Sequence, residues 1–193
     1  MICVTGPIGK RSKYFTGGKQ ARSGGSDMEV SSRAESMEPI AELLELPDGY
    51  GEAQTPLTWE AVRADLSSAE RYWIATTRED GRPHVVPVDG IWLDDLWYYG
   101  GSEKTVHQRT VTANPHVVMH LEDAVKAVIV EGEVRSTNPP KPLAERLAAT
   151  SKQKYGYAPP TAEYEKGVLT LFPSRVLAWT TFPKDATRFR FDT

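Results

Sequence analysis

The segment Ser102-Glu103-Lys104-Thr105-Val106-His107-Gln108-Arg109 gathers two hydroxyls, a lysine, an imidazole and an arginine within one short stretch. It follows the aromatic run Leu96-Trp97-Tyr98-Tyr99-Gly100-Gly101 and opens a stretch that reads as a helix up to Asn114-Pro115. A strand end that runs into a helix start is a place to hold a phosphate. Backbone N–H groups and the helix dipole face the anion, and Lys and Arg add charge-assisted hydrogen bonds. Ser102 and Thr105 can cap the helix at the same time. The competing reading is plainer: Lys104 and Arg109 as solvated helix charges, His107 as an exposed polar position. The strand-to-helix corner favours the anion site.

The elements that must position this corner are mostly strands. Tyr72-Trp73-Ile74-Ala75-Thr76-Thr77, a turn at Glu79-Asp80-Gly81-Arg82-Pro83, then His84-Val85-Val86-Pro87-Val88 read as a hairpin. Ile91-Trp92-Leu93, a turn at Asp94-Asp95, and the aromatic run extend it into a three-strand antiparallel meander. Upstream, Thr58 N-caps a helix whose Trp59, Val62, Leu66 and Ala69 recur at helical spacing and should cover one end of the sheet. The corner helix spans about 104–113 and stops before Asn114-Pro115, because the residue before Pro avoids helical backbone. Strands follow at 116–121 and 127–135. A helix over about 140–154 ends near Gly156, and a last long strand runs about 168–182 with Pro173 marking a bend or bulge. Nothing alternates as βαβ, so the fold class is mainly β: a small antiparallel barrel with a few short helices.

Composition narrows the function. The 193 residues are 39% hydrophobic and 25% charged with a net charge of -3, which suits one globular domain and steers it to neither nucleic acid nor membrane. The single cysteine, Cys3, excludes a disulfide framework or a thiolate cluster. No apolar run nears the ~18 residues of a membrane span, so a cytoplasmic protein is expected. Residues 1–36 are rich in Gly and Ser, with six basic and three acidic residues and no hydrophobic period. They read as a disordered tail or an upstream mis-start, with Met28 and Met37 as possible true starts. Residues 37–57 read as a weakly structured lead-in, and 58–193 as the domain.

Several chemistries have no motif here. There is no G-x-S-x-G elbow, H-E-x-x-H, phosphate-binding P-loop or dinucleotide fingerprint. His116, His120 and Glu122 share a strand face, but a polar surface is the better account than a metal site.

With these residues in view, the chain resembles the pyridoxamine 5'-phosphate oxidase-like superfamily of FMN-binding split β-barrels, and most closely its flavin/deazaflavin oxidoreductase branch. The marks are Ala75-Thr76-Thr77-x-x-Asp80-Gly81-x-Pro83-His84-Val85-Val86-Pro87-Val88, then Ser102 to Arg109, Ala113-Asn114-Pro115, Val130-Glu131-Gly132 and Thr187-Arg188-Phe189-Arg190-Phe191. They span about 58–191. The resemblance implies a six-stranded antiparallel split barrel, working as a homodimer with FMN or coenzyme F420 at the interface. It implies that Ser102, Lys104, Thr105, His107 and Arg109 hold the cofactor phosphate. His107 stands where the family more often has Lys, which makes affinity lower or pH-dependent. It further implies that Val85, Val86, Pro87 and Val88 face the ring along their backbone edge, and that Trp179 approaches it from the partner subunit.

Two departures argue against vitamin B6 oxidation. Ala127 stands where true pyridoxamine phosphate oxidases resemble one another in a strand-five Gln, and Arg188-x-Arg190 stands where they carry Arg-x-His. The expected activity is hydride transfer between FMN or F420 and a small organic substrate, with no catalytic side chain assigned. The alternatives are a non-catalytic flavin or haem carrier on the same barrel, or a decayed cofactor site.

Overall fold

A computed structural model of the chain describes residues 38–191; the expectation for residues 1–36 lies outside them. The described elements are β1 (Ile40–Leu43), α1 (Trp59–Ser68), β2 (Tyr72–Thr77), β3 (Pro83–Val88), β4 (Gly90–Leu93), β5 (Leu96–Tyr99), α2 (Val106–Ala113), β6 (His116–His120), β7 (Ala127–Thr137), α3 (Lys141–Tyr155), α4 (Thr161–Lys166), β8 (Val168–Trp179) and β9 (Thr187–Arg190). All strand pairs are antiparallel, in the order β1-β9-β8-β7-β6-β2-β3, with β5 joining β8 to β4.

The mainly β, antiparallel class expected from the sequence holds, with nine strands rather than six. Three differences have physical reasons. The lead-in is not unstructured: β1 pairs with β9 from Ile40↔Arg190 to Leu43↔Thr187, and Glu42 bonds both Arg188 and Arg190. The meander is not continuous within the sheet. β3 pairs only with β2, and the β4–β5 hairpin instead joins β8 through Trp97↔Leu171. The short helix α4 was not legible, because six residues carry too little period.

The β4–β5 turn is the local structure its sequence suggests. Asp94 and Asp95 both have positive φ, 52° and 56°, the pattern of a type I′ hairpin turn. Two helices clamp it with bidentate arginines: Arg63 of α1 on Asp95 at 2.8 and 2.8 Å, and Arg146 of α3 on Asp94 at 2.6 and 2.8 Å.

The same hairpin separates two cores. One face sends Trp92, Trp97 and Tyr99 into the barrel with Tyr72, Ile74, Met119, Val130, Val176 and Phe189, capped by Trp59, Val62 and Leu66 of α1. The other face packs Ile91, Leu96 and Tyr98 under Ala144 and Leu147 of α3 and Tyr164 of α4. Burial on both faces explains why this run lacks the polar alternation of a half-exposed strand.

A bulge gives β8 its two partners. Glu131 pairs with Arg175 and Gly132 with Pro173, leaving Ser174 out of register. Residues before the bulge pair with β5 and those after it with β9. Pro173 has no N–H to donate, and a side chain at Gly132 would run into the Phe172 carbonyl. The bend expected at Pro173 is this bulge.

Candidate functional site

Gly100 and Gly101 carry the chain out of β5, and α2 begins at Val106 after the four residues 102–105. The linking turn is closed by its own hydrogen bonds. Ser102 O accepts from Thr105 N at 2.8 Å and from Thr105 Oγ1 at 2.7 Å, and Ser102 Oγ accepts from Lys104 N at 3.3 Å. Arg109 Nη1 donates to Lys104 O at 2.6 Å, which places its guanidinium over the turn.

Thr105 is the N-cap of α2, yet its side chain makes no capping bond. In α1 the equivalent Thr58 accepts from Ala61 N at 3.3 Å. The first-turn N–H groups of α2 are therefore left without the side-chain acceptor that N-caps usually supply. Lys104 and Arg109 are exposed beside them. Uncapped N–H groups, the positive end of a helix and two cations fit a phosphate.

His107 is different from what its position suggested. It is 6% exposed, its ring lies 6.0 Å from that of Tyr99, and its Nδ1 has no partner. Burial pushes its pKa down to about 4, with His84 adding to the shift. The imidazole is neutral at ordinary pH and lies beneath the corner rather than on its surface. The periodicity of an eight-residue helix did not reveal that face.

α2 packs against the β2–β3 hairpin. Thr110 Oγ1 donates to Thr76 Oγ1 at 3.0 Å within the core. On β3, Val86 and Val88 turn inward against the barrel core. Val85, 47% exposed, and Pro87 turn outward, and the outer backbone edge of β3 is unpaired among the described residues. The structure thus brings Ser102, Lys104, Thr105 and Arg109 together, with His107 below and Val85 to Val88 on the neighbouring hairpin.

Trp179 does not join them within one chain. It ends β8, four strands from β3 in the sheet order. Its ring meets Phe182 edge-on at 5.4 Å, in an open apolar depression with Ala124 and Val125. Its cross-strand partner is Ala127.

Other singled-out residues have structural occupations. Tyr155 Oη lies 2.7 Å from Gly90 O, and Tyr157 Oη donates to Asp89 at 3.1 Å. His116 is exposed, with Glu133 at 3.8 Å, and His120 stacks on Trp73 at 6.3 Å. Among the described residues no group of three or more His, Cys, Asp or Glu could hold a metal, and no helix is long and apolar enough to cross a membrane.

Sequence reading missed Arg78 and His84. Arg78 Nη2 lies 3.3 Å from His84 Nδ1. The sequence gives Glu79 to Pro83 as a turn only and assigns Arg78 no role. The signal was the hairpin register, which sets His84 opposite Thr76.

Residues 58–180 match the family described as pyridoxamine 5'-phosphate oxidase. No curated protein matches the chain. Similar solved structures include a conserved hypothetical protein from Mycobacterium tuberculosis, 18% identical over 66% of this chain and 88% of that one, TM-score 0.55. A putative pyridoxamine 5'-phosphate oxidase from Listeria innocua is 13% identical over 63% and 98%, TM-score 0.51. A heme-binding protein from Mycobacterium smegmatis is 18% identical over 66% and 56%, TM-score 0.51. At these identities the likeness is one of fold.

Proposed function

The chain belongs to the pyridoxamine 5'-phosphate oxidase family, and from that premise we propose an oxidoreductase that moves a hydride between FMN or coenzyme F420 and a small organic substrate. The observation that carries this reading is the uncapped start of α2 beside Lys104 and Arg109. First-turn N–H groups of α2 and these two cations hold the phosphate. Ser102 and Thr105 keep the turn closed so that the donors stay aimed. The open edge of β3 offers backbone groups to the ring, with Pro87 contributing only its carbonyl. When bound, the flavin or deazaflavin supplies the hydride chemistry, and the chain supplies orientation and water exclusion.

Oxidation of pyridoxamine phosphate itself is disfavoured. The Arg188-x-Arg190 pair is occupied by Glu42, at 2.8 and 2.6 Å, and Ala127 carries no polar group.

Arg109→Ala should weaken FMN or F420 binding by roughly tenfold or more, the worth of one charge-assisted hydrogen bond at ~1.5–3 kcal/mol. Flavin-fluorescence titration measures it, and unchanged affinity removes Arg109 from the site. The absorption spectrum of the full chain mixed with FMN, F420 or haem tests the whole reading. Binding of neither flavin nor deazaflavin overturns it, and a haem band alone favours a carrier.

A further inference from the structure

Arg78 is half-buried and has no carboxylate within ion-pair distance among the described residues; its one side-chain hydrogen bond there is to His84 Nδ1. Arginine has only donors, so Nδ1 must accept, and the ring is neutral with its hydrogen on Nε2. Burial and the arginine together hold the His84 pKa below its ordinary value. Three other arginines have carboxylate partners. Arg82 pairs with Asp80 at 2.7 Å, Arg71 with Asp89 at 3.2 Å, and Arg63 with Asp95 at 2.8 Å. Arg78 instead hydrogen-bonds a neutral ring; Asp80 attracts it through space, but that carboxylate is engaged by Arg82.

Its place in the fold says what the charge faces. Arg78 N donates to Arg82 O, which continues the β2–β3 ladder. Thr76, Arg78 and His84 therefore share the inward side of the hairpin. α2 packs on that side through Thr110 and Thr76. One turn nearer the start of α2 stands His107, more than nine-tenths buried, close enough to His84 that a charge there would disfavour a charge on His107, and with Nδ1 unpartnered. The end of the hairpin and the uncapped first turn of α2 thus converge.

We propose that Arg78 is an anion ligand of this corner, so that a phosphate ester is held by the hairpin on one side and by α2, Lys104 and Arg109 on the other. The proposal rests on the phosphate reading of the corner and adds a ligand to it from a different element.

The test titrates the full-length protein with FMN and with riboflavin, which has the same ring and no phosphate, in wild type, Arg78→Ala, Arg78→Lys and Arg109→Ala. Arg78→Ala should lose roughly tenfold in FMN affinity and leave riboflavin affinity and the melting temperature unchanged. Arg78→Lys should recover part of the loss, because it keeps the charge without the planar fork. If Arg109→Ala weakens FMN binding while Arg78→Ala does not, the proposal falls and the corner reading stands. If wild type binds neither FMN nor F420, the corner reading falls, and phosphorus NMR line broadening of inorganic pyrophosphate decides for Arg78. Broadening that is lost in Arg78→Ala keeps it as an anion ligand; wild-type protein that gives no broadening overturns it.

Discussion

His107 shows how burial changes what a residue can contribute. An exposed imidazole at the corner would gain charge as pH falls and tighten phosphate binding. The buried one stays neutral, its pKa near 4 in the fold against about 6.5 in an unfolded chain. Above about pH 6.5 both states are neutral and stability is full. As pH falls from 6.5 toward 4 the unfolded chain takes up a proton that the folded chain refuses, so stability drops, by up to about 3 kcal/mol. His107→Gln should flatten that part of the curve. Melting temperatures of both proteins across pH 4 to 7 measure it, and parallel curves would mean that His107 does not titrate this way. Ser102, Lys104 and Arg109 were legible as a cluster because adjacent residues on a tight corner meet whatever the fold. Arg78 was not, since only the hairpin register brings it to His84.

At the scale of elements, the β7–β8 bulge decides the architecture. It lets one strand serve β5 with its first half and β9 with its second. Gly132 is required there because the Phe172 carbonyl occupies the space a Cβ would take, with the Phe172 carbonyl carbon at 2.9 Å. Gly132→Ala should therefore destabilise by about 1–3 kcal/mol through forced backbone shifts, a drop of several degrees in a domain this size. Thermal unfolding followed by circular dichroism checks it, and an unchanged melting temperature would show that the bulge yields freely. Pro173 announced this bend in the sequence. The split pairing of β8 was not announced, because local pattern says where a strand bends and not which neighbours it meets.

For the whole molecule, the outer face of the barrel is the open question that a second copy would answer. Cross-strand pairing lines up Val85, Ala75 and Val118 on one row, and Pro87, Trp73, His120, Ile129 and Leu177 on the next. All point away from the core, and most are only half-buried. Val125 and Phe182 add exposed apolar surface beside Trp179. Such a face is the kind that two-fold dimers cover. Light scattering should give a dimer for the full chain. Trp179→Ala should raise the dimer dissociation constant and lower cofactor affinity together, since within its own subunit Trp179 packs with Phe182 four strands along the sheet order from β3. A monomeric wild type, or a variant that loses neither property, would overturn this.

What the sequence determined on its own was local: strand and helix positions, the Asp-Asp turn, the bend at Pro173, the stop at Asn114-Pro115, and the cluster from Ser102 to Arg109. Each depends on backbone preference or period over a few residues, and those act before any long-range contact forms. The tertiary structure decided which strands pair, that Ile40–Leu43 is one of them, that His107 turns inward and that Arg78 meets His84. These depend on contacts between residues far apart in the chain. The free energy of such contacts comes from burying shared surface and pairing backbone across strands, and no single segment carries it.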